Sequence, residues 1–448
     1  MTQFVVLLAI YAVIGTAISV LVMRKKQSQE DYFIGSRAIG WIVSAMTYAA
    51  TTYSAFMMVG LVGLSYATGV GAFIFEMAYL VATLILLSVY GRRIWQLGKE
   101  RGFVTPMEMF SDRYGPLVGS LGAVVAFVAL IPYTSVQVIG LALIFQTYDI
   151  GFEAGIVIAA AIICIWALLG GLRGVAITDS LQGVFMMALA VVAVVWSGRQ
   201  FGGLELSTFP NKVWTPIFFI NLTLPWCFFA LTNPQVVQRL FIIKEKRDFR
   251  KMLLLFGVFG FLYTTIVTLI GFSAKFATAA GIFPQVADRD MVIVNVLGQM
   301  SRWLALPLAL TIIFAAVSTA NSIILTLSSM LTRDLLRQRR NVWFGRMFII
   351  VLTILVVLFS LTRPNYLVEL SVSSSRILMV FLPLFLGLFH LRMGGRLAGA
   401  LTLVGGGAAA ILFGALGLAL SSVWTLVTAF GLFFVGAALD RSTGRVRS

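Results

Sequence analysis

The chain has 448 residues, of which 60% are hydrophobic and only 11% are charged, and its mean hydropathy is +0.99. Soluble chains carry about a quarter charged residues, so this composition excludes a soluble globule, a fibre and a disordered chain. The net charge of +16 would suit a nucleic-acid partner, but the placement of the basic residues argues against one. Cys164 and Cys227 lie in apolar stretches and His390 is the single histidine, so neither a disulfide framework nor a metal cluster is expected.

Apolar stretches recur along the whole chain. A helix needs about 20 apolar residues to cross a bilayer, and this length predicts an all-α polytopic membrane protein with thirteen transmembrane helices. The predicted spans are 4–23, 40–66, 69–91, 116–147, 151–171, 178–198, 213–233, 253–277, 303–334, 343–362, 366–389, 394–417 and 420–439.

The basic residues predict the orientation of these spans. The first span has no positive charge before it and is followed directly by Arg24, Lys25 and Lys26, which is the wrong polarity for a cleaved signal and indicates an outside N-terminus. Arg376 lies within a span. The predicted outer loops hold only Arg199, Lys212, Lys275, Arg289, Arg302 and Arg363. All other basic residues fall on the inner side, which predicts a cytoplasmic C-terminus, a cytoplasmic-membrane location and no nucleic-acid partner.

Polar clusters inside three apolar spans indicate a cavity or an ion site, because unsatisfied polar groups are costly in hydrocarbon. The second span contains the run AATTYSA at 49–55, the seventh contains Pro225 and Pro234, and the ninth contains STANS at 318–322. Uncharged side-chain oxygens of this kind suit sodium. Contacts between small residues, proline kinks and hydrogen bonds between helices remain alternative explanations.

Two ionisable residues lie deep inside predicted spans. By the helical rise, Glu76 lies about 10 Å into the third span and Arg376 about 15 Å into the eleventh. Such residues must be paired or face water, so either they pair with each other or they contact the substrate. Asp179 follows the predicted inner turn 170–174, where an aspartate is expected to cap the sixth span.

The predicted breaks in spans two and seven are five spans apart, which is the spacing of a five-plus-five inverted repeat. The chain is therefore predicted to form one integral membrane domain over 1–448. The two repeats would cover 40–198 and 213–389, after an extra first helix at 4–23 and before two C-terminal helices at 394–439.

Four segments resemble the sodium:solute symporter family, which includes proline and pantothenate permeases, sialic acid symporters and sodium–glucose cotransporters. They are DYFIGSRAIG at 31–40, GGLRGVAITDSLQG at 170–183, NPQVVQRLF at 233–241 and AAVSTANSIILTLSSMLTRDLL at 315–336. The resemblance implies a leucine-transporter type fold and symport driven by an inward sodium gradient.

The resemblance also implies an ion site. One sodium ion would be held by the carbonyl oxygens of Ala50, Tyr53 and Ala315 and by the hydroxyls of Ser318 and Thr319. Some relatives bind a further sodium ion, for which the matching residues here are Asp179, Ser318, Asn321 and Ser322. Asn321 stands in place of a serine but keeps an oxygen ligand.

The substrate cavity of the family matches a second set of residues. The implied substrate residues are Thr52, Ser54, Glu76, Tyr133, Gln137, Trp226 and Ala230. Proline permeases carry an aspartate where Thr52 stands and a tyrosine where Ala230 stands, and both departures weaken a proline interpretation. Arg376 is hypothesised to orient a substrate carboxylate.

The predicted function is sodium-coupled import of a small polar organic solute by alternating access, with a slight preference for a carboxylate. Expected partners are the solute, sodium and the bilayer, with no cofactor and no obligate protein partner. Two alternatives stay open, a proton-coupled symporter that uses Glu76 or Asp179 and a transporter-like solute sensor. A membrane enzyme is not expected, because the chain has no metal-ligand spacing and no evident nucleophile–base pair.

Overall fold

The computed structural model describes residues 2–22, 28–339, 341–363, 366–391 and 393–442, so Arg24, Lys25 and Lys26 lie outside the described residues. The described part is helical, with one isolated bridge between Ile39 and Ile243. The α-helices, in chain order, are α1 Thr2–Val22, α2 Gln29–Ile34, α3 Trp41–Thr52, α4 Val62–Thr68, α5 Gly71–Leu86, α6 Arg92–Arg101, α7 Pro106–Tyr114, α8 Pro116–Gln146, α9 Phe152–Phe201, α10 Pro216–Cys227, α11 Phe229–Thr232, α12 Pro234–Leu240, α13 Asp248–Ala279, α14 Val292–Gln299, α15 Arg302–Met330, α16 Trp343–Ser360, α17 Leu367–Leu378, α18 Phe381–Leu386, α19 Arg396–Ala415 and α20 Ser421–Ser442.

Short 3₁₀ and π segments extend or join several of these helices. The 3₁₀ turns are Gly35–Arg37 and Arg289–Met291, and the π segments are Phe56–Leu61, Leu87–Gly91, Leu331–Leu335 and Gly387–Leu391. Among the described residues, nine helices are long and apolar enough to cross a membrane, or up to eleven if each of two bent pairs is one span.

The two bent pairs coincide with two of the predicted spans. The predicted span 40–66 consists of Trp41–Thr52 and Phe56–Thr68, which meet at 52°, and the predicted span 366–389 consists of Leu367–Leu378 and Phe381–Leu391, which meet at 42°. The predicted span 213–233 is covered by α10 and α11, with α12 following. Pro216 and Pro234 each begin a helix, as proline at a first helical position allows, because its missing N–H would be unpaired there.

Helix α9 covers both of the predicted spans 151–171 and 178–198 in 50 residues, or about 75 Å of helical rise. It is interrupted at Gly171, where φ is 51° and ψ is −166°. A Cβ atom at Gly171 would lie 2.8 Å from the Tyr32 carbonyl oxygen, so only glycine fits this position without displacement. Because the helix resumes directly after Gly171, Asp179 lies inside it, and the prediction that Asp179 caps a helix is wrong.

The most deeply buried membrane helix is α15, with 89% of its apolar window inside the protein. It packs against α3, α8 and α9, whereas α1 and the hairpin of α19 and α20 lie at the periphery. This arrangement places the polar run at the middle of α15 against the break that follows α3.

Candidate functional site

Helix α3 ends at Thr52 because the backbone leaves helical geometry at Tyr53, where φ is −88° and ψ is 87°. The chain resumes as a helix at Ala55, whose backbone N–H donates to the side-chain oxygen of Gln137 at 3.1 Å. Gln137 also donates to the Tyr133 carbonyl oxygen at 3.3 Å. A side chain of α8 therefore satisfies a backbone group that the break sets free.

The end of α3 meets α15 in a buried cluster of oxygen atoms. The hydroxyls of Ser318 and Thr319 each donate to the Ala50 carbonyl oxygen at 2.9 Å. Ser318 also lies 3.1 Å from the Ala315 carbonyl oxygen, and Thr319 lies 3.2 Å from the Thr51 carbonyl oxygen. All of these residues are buried. We call this group the α3–α15 oxygen cluster.

The chemistry of the α3–α15 oxygen cluster fits a small hard cation. Its donors are neutral carbonyl and hydroxyl oxygens, which hard metal ions prefer over nitrogen or sulfur. Hydroxyl groups rotate freely, so they can turn their lone pairs towards an ion. Of the five residues predicted to hold sodium, the structure brings together Ala50, Ala315, Ser318 and Thr319. Tyr53 lies at the adjacent break, and its ring packs on α13.

A second polar centre lies beside this cluster and contains the positively charged side chain of Arg239. The Arg239 guanidinium, on α12, donates to the Ser322 hydroxyl and lies 3.9 Å from the Asp179 carboxylate. Thr47 donates to Asp179 at 2.6 Å, and the hydroxyls of Thr51 and Ser322 are 2.9 Å apart. Both charged side chains are fully buried. Three of the four residues predicted for a second sodium ion, Asp179, Ser318 and Ser322, therefore lie in or beside a centre that already holds a cationic side chain.

Glu76 lies in an aromatic environment on α5. The Trp226 indole N–H donates to the Glu76 carboxylate at 3.1 Å, and Glu76 is 1% exposed. Five further rings lie with their centroids 4.9 to 6.5 Å from that of Trp226. We call the six rings the aromatic cluster, which consists of Phe56, Phe75, Tyr79, Tyr133, Trp226 and Phe229.

The remaining predicted substrate residues are mostly bonded to the protein itself. The Thr52 hydroxyl donates to the Tyr48 carbonyl oxygen at 2.8 Å, and the Ser54 hydroxyl accepts from the Phe56 backbone N–H at 3.2 Å. The Gln137 side-chain oxygen accepts from the Ala55 backbone N–H after the break. Of the predicted substrate residues, Tyr133 and Trp226 thus belong to the aromatic cluster, and Glu76 is hydrogen-bonded to Trp226.

Arg376 lies away from Glu76. It donates to the Ser421 hydroxyl at 3.0 Å, and its guanidinium packs so closely on Gly414 that a Cβ atom there would overlap it. Ser421 in turn contacts Asn221 at 3.2 Å. Arg376 therefore links α17 to the hairpin of α19 and α20, and the structure does not bring Glu76 and Arg376 together as a pair.

Two ion pairs join the segments next to the two ends of α15 to other parts of the protein. At one end Arg289 pairs with Glu369 and packs on the Tyr366 ring at 4.4 Å, while Asp290 accepts from the Leu367 backbone at 2.9 Å. Burial raises the pKa of Asp290 to about 6, against the opposing effect of its bond to Leu367.

At the other end Arg333 pairs with Glu108 at 2.7 Å, and Thr105 donates to Asp334 at 2.7 Å. The α3–α15 oxygen cluster and Glu76 are both buried within the protein.

Sequence reasoning missed Arg239 and four members of the aromatic cluster. Arg239 had a usable signal, since it is a charged residue within an otherwise uncharged stretch that follows the prolines of a predicted broken span. Phe56, Phe75, Tyr79 and Phe229 had none, because phenylalanine and tyrosine are common throughout this chain and nothing in their spacing brings them together.

The arrangement of these helices defines the leucine-transporter class of membrane-protein fold. Two solved structures support that class. One is a substrate-bound, outward-open Na⁺-coupled sialic acid symporter, with a TM-score of 0.78, 16% identity and coverage of 97% of this chain and 98% of that one. The other is a nucleobase-cation-symport-1 family transporter in a closed conformation with bromovinylhydantoin bound, with a TM-score of 0.66, 14% identity and coverage of 95% and 98%.

The profile of the sodium:solute symporter family matches residues 32–406, so the chain belongs to that family. The sodium/pantothenate symporter of Escherichia coli is 27% identical over 89% of this chain and 88% of its own length. The osmoregulated proline transporter of Bacillus subtilis is 23% identical over 82% of this chain and 80% of its own length. These relatives are transporters, and the chain is a membrane transport protein, not an enzyme.

Proposed function

We propose that this protein couples the inward movement of sodium to the import of a small polar organic solute across the cytoplasmic membrane, by alternating access. The observation that carries the proposal is the α3–α15 oxygen cluster, in which two hydroxyls of α15 meet a carbonyl oxygen at the broken end of α3. Discontinuous helices of this kind hold substrates and ions in inverted-repeat transporters.

The proposed topology has thirteen crossings, an outside N-terminus and a cytoplasmic C-terminus. The nine to eleven apolar helices become thirteen if α9 crosses twice around Gly171 and α10 with α11 crosses once. A length of about 75 Å supports two crossings for α9, because the hydrocarbon core is about 30 Å thick. The breaks after α3 and α10 support repeats over 40–198 and 213–389.

The proposed ion stoichiometry is one sodium ion per solute. Arg239 supports this proposal, because its guanidinium already provides a positive charge beside Asp179 and occupies a hydrogen-bonding position on Ser322. A further cation there would have to displace or repel a buried arginine, which costs several kcal/mol when the charges are desolvated.

The preference for a carboxylate substrate rested on Arg376, and the contacts of Arg376 with Ser421 and Gly414 give it no support. The solute is therefore proposed only as small, polar and organic at this stage. Pantothenate, proline and sialic acid are the substrates named for the relatives, and none is assigned to this chain.

Thermal unfolding of the purified protein in sodium against potassium tests the proposed function. Sodium at a hundredfold excess over its dissociation constant should stabilise the folded protein by about 2.7 kcal/mol. The Ser318→Ala/Thr319→Ala variant should lose this response. A Thr311→Ala variant is the matched control, because that hydroxyl bonds only to its own helix. Equal unfolding temperatures in the two salts would contradict sodium coupling and favour a proton-coupled symporter or a sensor.

A further inference from the structure

Glu76 is a buried carboxylate, and among the residues that the structure describes its hydrogen-bond donor is the Trp226 indole. Among the described residues, no Lys, Arg or His side chain lies within ion-pair distance of it. A buried carboxylate is costly without a positive partner. The residue thus has the chemistry to bind a positively charged ligand, and the protein itself supplies no such group at this place.

The aromatic cluster also attracts positive charge. An aromatic ring attracts a cation to its face, most strongly for tryptophan, and the interaction strengthens when the site is dry. The Trp226 ring lies 4.9 Å from Phe56 and 5.2 Å from Phe229, centroid to centroid. Trp226 is 3% exposed. A carboxylate bonded to the central ring of a six-ring cluster combines the two features that recognise ammonium groups.

Three of the six rings come from segments beside breaks in the helices, and the other three lie on α5 and α8. Phe56 begins the π segment that follows the break at Tyr53, and Trp226 and Phe229 flank the turn at Phe228. In this structure the rings pack on one another. Because each of these segments is short and joined by a non-helical residue, the rings can separate without disrupting a long helix.

The polar groups nearby argue against two other classes of solute. A sugar or polyol needs many donors and acceptors, but Thr52, Ser54 and Gln137 are already bonded to backbone groups. Only the Tyr79 and Tyr133 hydroxyls of the aromatic cluster are buried without a hydrogen-bond partner among the described residues. A carboxylate needs a positive partner, and Arg376 is bonded to Ser421 on the hairpin of α19 and α20. The aromatic cluster therefore matches the charge of a cation better than it matches an anion or a neutral polyol.

We infer that Glu76 and the aromatic cluster bind a positively charged nitrogen of the solute, such as an amine or a quaternary ammonium group. This inference rests on the proposed function, because it assigns the chemistry of the substrate site of the same transporter. The solute's nitrogen pairs with the Glu76 carboxylate and lies against the face of a ring of the aromatic cluster, while the Trp226 N–H keeps its bond to Glu76 and sodium occupies the α3–α15 oxygen cluster.

Binding of simple ammonium ions to the purified full-length protein in saturating sodium tests the inference. The probes are methylammonium, tetramethylammonium and choline, each compared with an equal addition of sodium chloride. The uncharged tert-butyl analogue of choline tests shape without charge, propionate tests an anion, and glycerol tests a polyol. At least one ammonium probe should raise the unfolding temperature, and the uncharged analogue should not.

The Glu76→Gln variant should bind the effective probe about tenfold or more weakly, because it removes the charge but keeps an acceptor for Trp226. Glu153→Gln is the matched control, since Glu153 is an exposed carboxylate in the first turn of α9. The sodium response of the Glu76→Gln variant reports whether it is folded.

Three results would overturn the inference: no response to any ammonium probe, an equal response to the uncharged analogue, or undiminished binding by Glu76→Gln. Binding of propionate or glycerol that depends on Glu76 would also overturn it. Failure of the proposed function is a separate outcome, since it would appear as the absence of any sodium response in the wild-type protein.

Discussion

Two opposite charges, Arg239 and Asp179, are buried together at 3.9 Å in the middle of the protein. The removal of one partner from such a pair leaves the other charge uncompensated, which typically costs 3 to 5 kcal/mol, whereas removal of both costs less. Because Ser322 also accepts from Arg239, the pair is tied to the helix that carries the α3–α15 oxygen cluster.

An Arg239→Leu variant should therefore be destabilised by roughly 3 kcal/mol or more. The double variant Arg239→Leu/Asp179→Asn should recover a large part of that loss, because no buried charge remains. Denaturation in detergent, followed through a double-mutant cycle, measures both effects. If the stability lost in the double variant equals the sum of the losses in Arg239→Leu and Asp179→Asn, the two residues do not act as a pair.

Asp290 is expected to make stability depend on pH. Its folded-state pKa is raised by burial to about 6 from the usual 3.8, so folding favours the protonated carboxyl. The resulting stabilisation is fully present below the unfolded-state pKa and is lost as the pH rises through about 6. The charged groups that influence it are Arg289, Asp288 and Glu369.

Comparison of unfolding temperatures at about pH 4.5 and about pH 7 tests this linkage. The wild-type protein should lose more stability over this rise than Asp290→Asn, in which the side chain stays neutral and can still accept from Leu367. A pH profile of Asp290→Asn that is parallel to that of the wild type would contradict the assignment.

At the residue scale, the sequence predicted which residues lie together when they share a motif. It did not predict contacts between residues that share none. Ser318 and Thr319 are adjacent in one polar run, and that run could be paired with the polar run of α3 because both interrupt apolar spans. Glu76 could be recognised as unusual from its depth within the third predicted span alone. Its partner Trp226 lies 150 residues away, and the hydrogen bond between them depends on how α5 and α10 pack.

The elements show where prolines, glycines and small residues act on the backbone. The break at Tyr53 and the helix starts at Pro216 and Pro234 follow from local sequence, so they were predictable. The continuation of α9 past Gly171 was not predictable from local sequence. The GGLRG sequence reads as a turn, but a single residue with positive φ suffices to redirect the helix, and tertiary packing on Tyr32 fixes its geometry.

A Gly171→Ala variant should be destabilised by about 1 to 3 kcal/mol, because alanine is strained at this φ and its Cβ would meet the Tyr32 backbone. Gly174→Ala is the matched control on the same turn of helix, where the nearest atom to a Cβ is 3.7 Å away. Chemical denaturation of the two variants makes the comparison. Equal stability of both would contradict the geometric argument.

For the whole molecule, separate ion pairs join the segments next to the two ends of α15 to other parts of the protein. Arg289 with Glu369 lies at the α14 end, and Arg333 with Glu108 lies at the α7 end. The proposed alternating access requires that the two sides of the protein open at different times, because simultaneous opening would let solute leak. Each ion pair is therefore expected to stabilise closure at its own end.

Glu108→Gln should raise hydrogen–deuterium exchange several-fold in α7 and in Leu331–Leu335, while exchange in α14 stays the same or falls. Glu369→Gln should have the reverse effect, with faster exchange in α14 and in the first turn of α17. Mass spectrometry of peptides from the two variants in equal sodium measures this. Faster exchange at both ends in either variant would contradict separate closures.

The central claim is that one sodium ion binds where α15 meets the broken end of α3, and equilibrium binding of radioactive sodium to the purified protein tests it most directly. The account predicts one sodium ion per chain, loss of binding in Ser318→Ala/Thr319→Ala and retention of that ion in Asp179→Asn. Binding of two sodium ions per chain would contradict this claim. So would a loss of sodium binding in Asp179→Asn together with retained sodium binding in Ser318→Ala/Thr319→Ala.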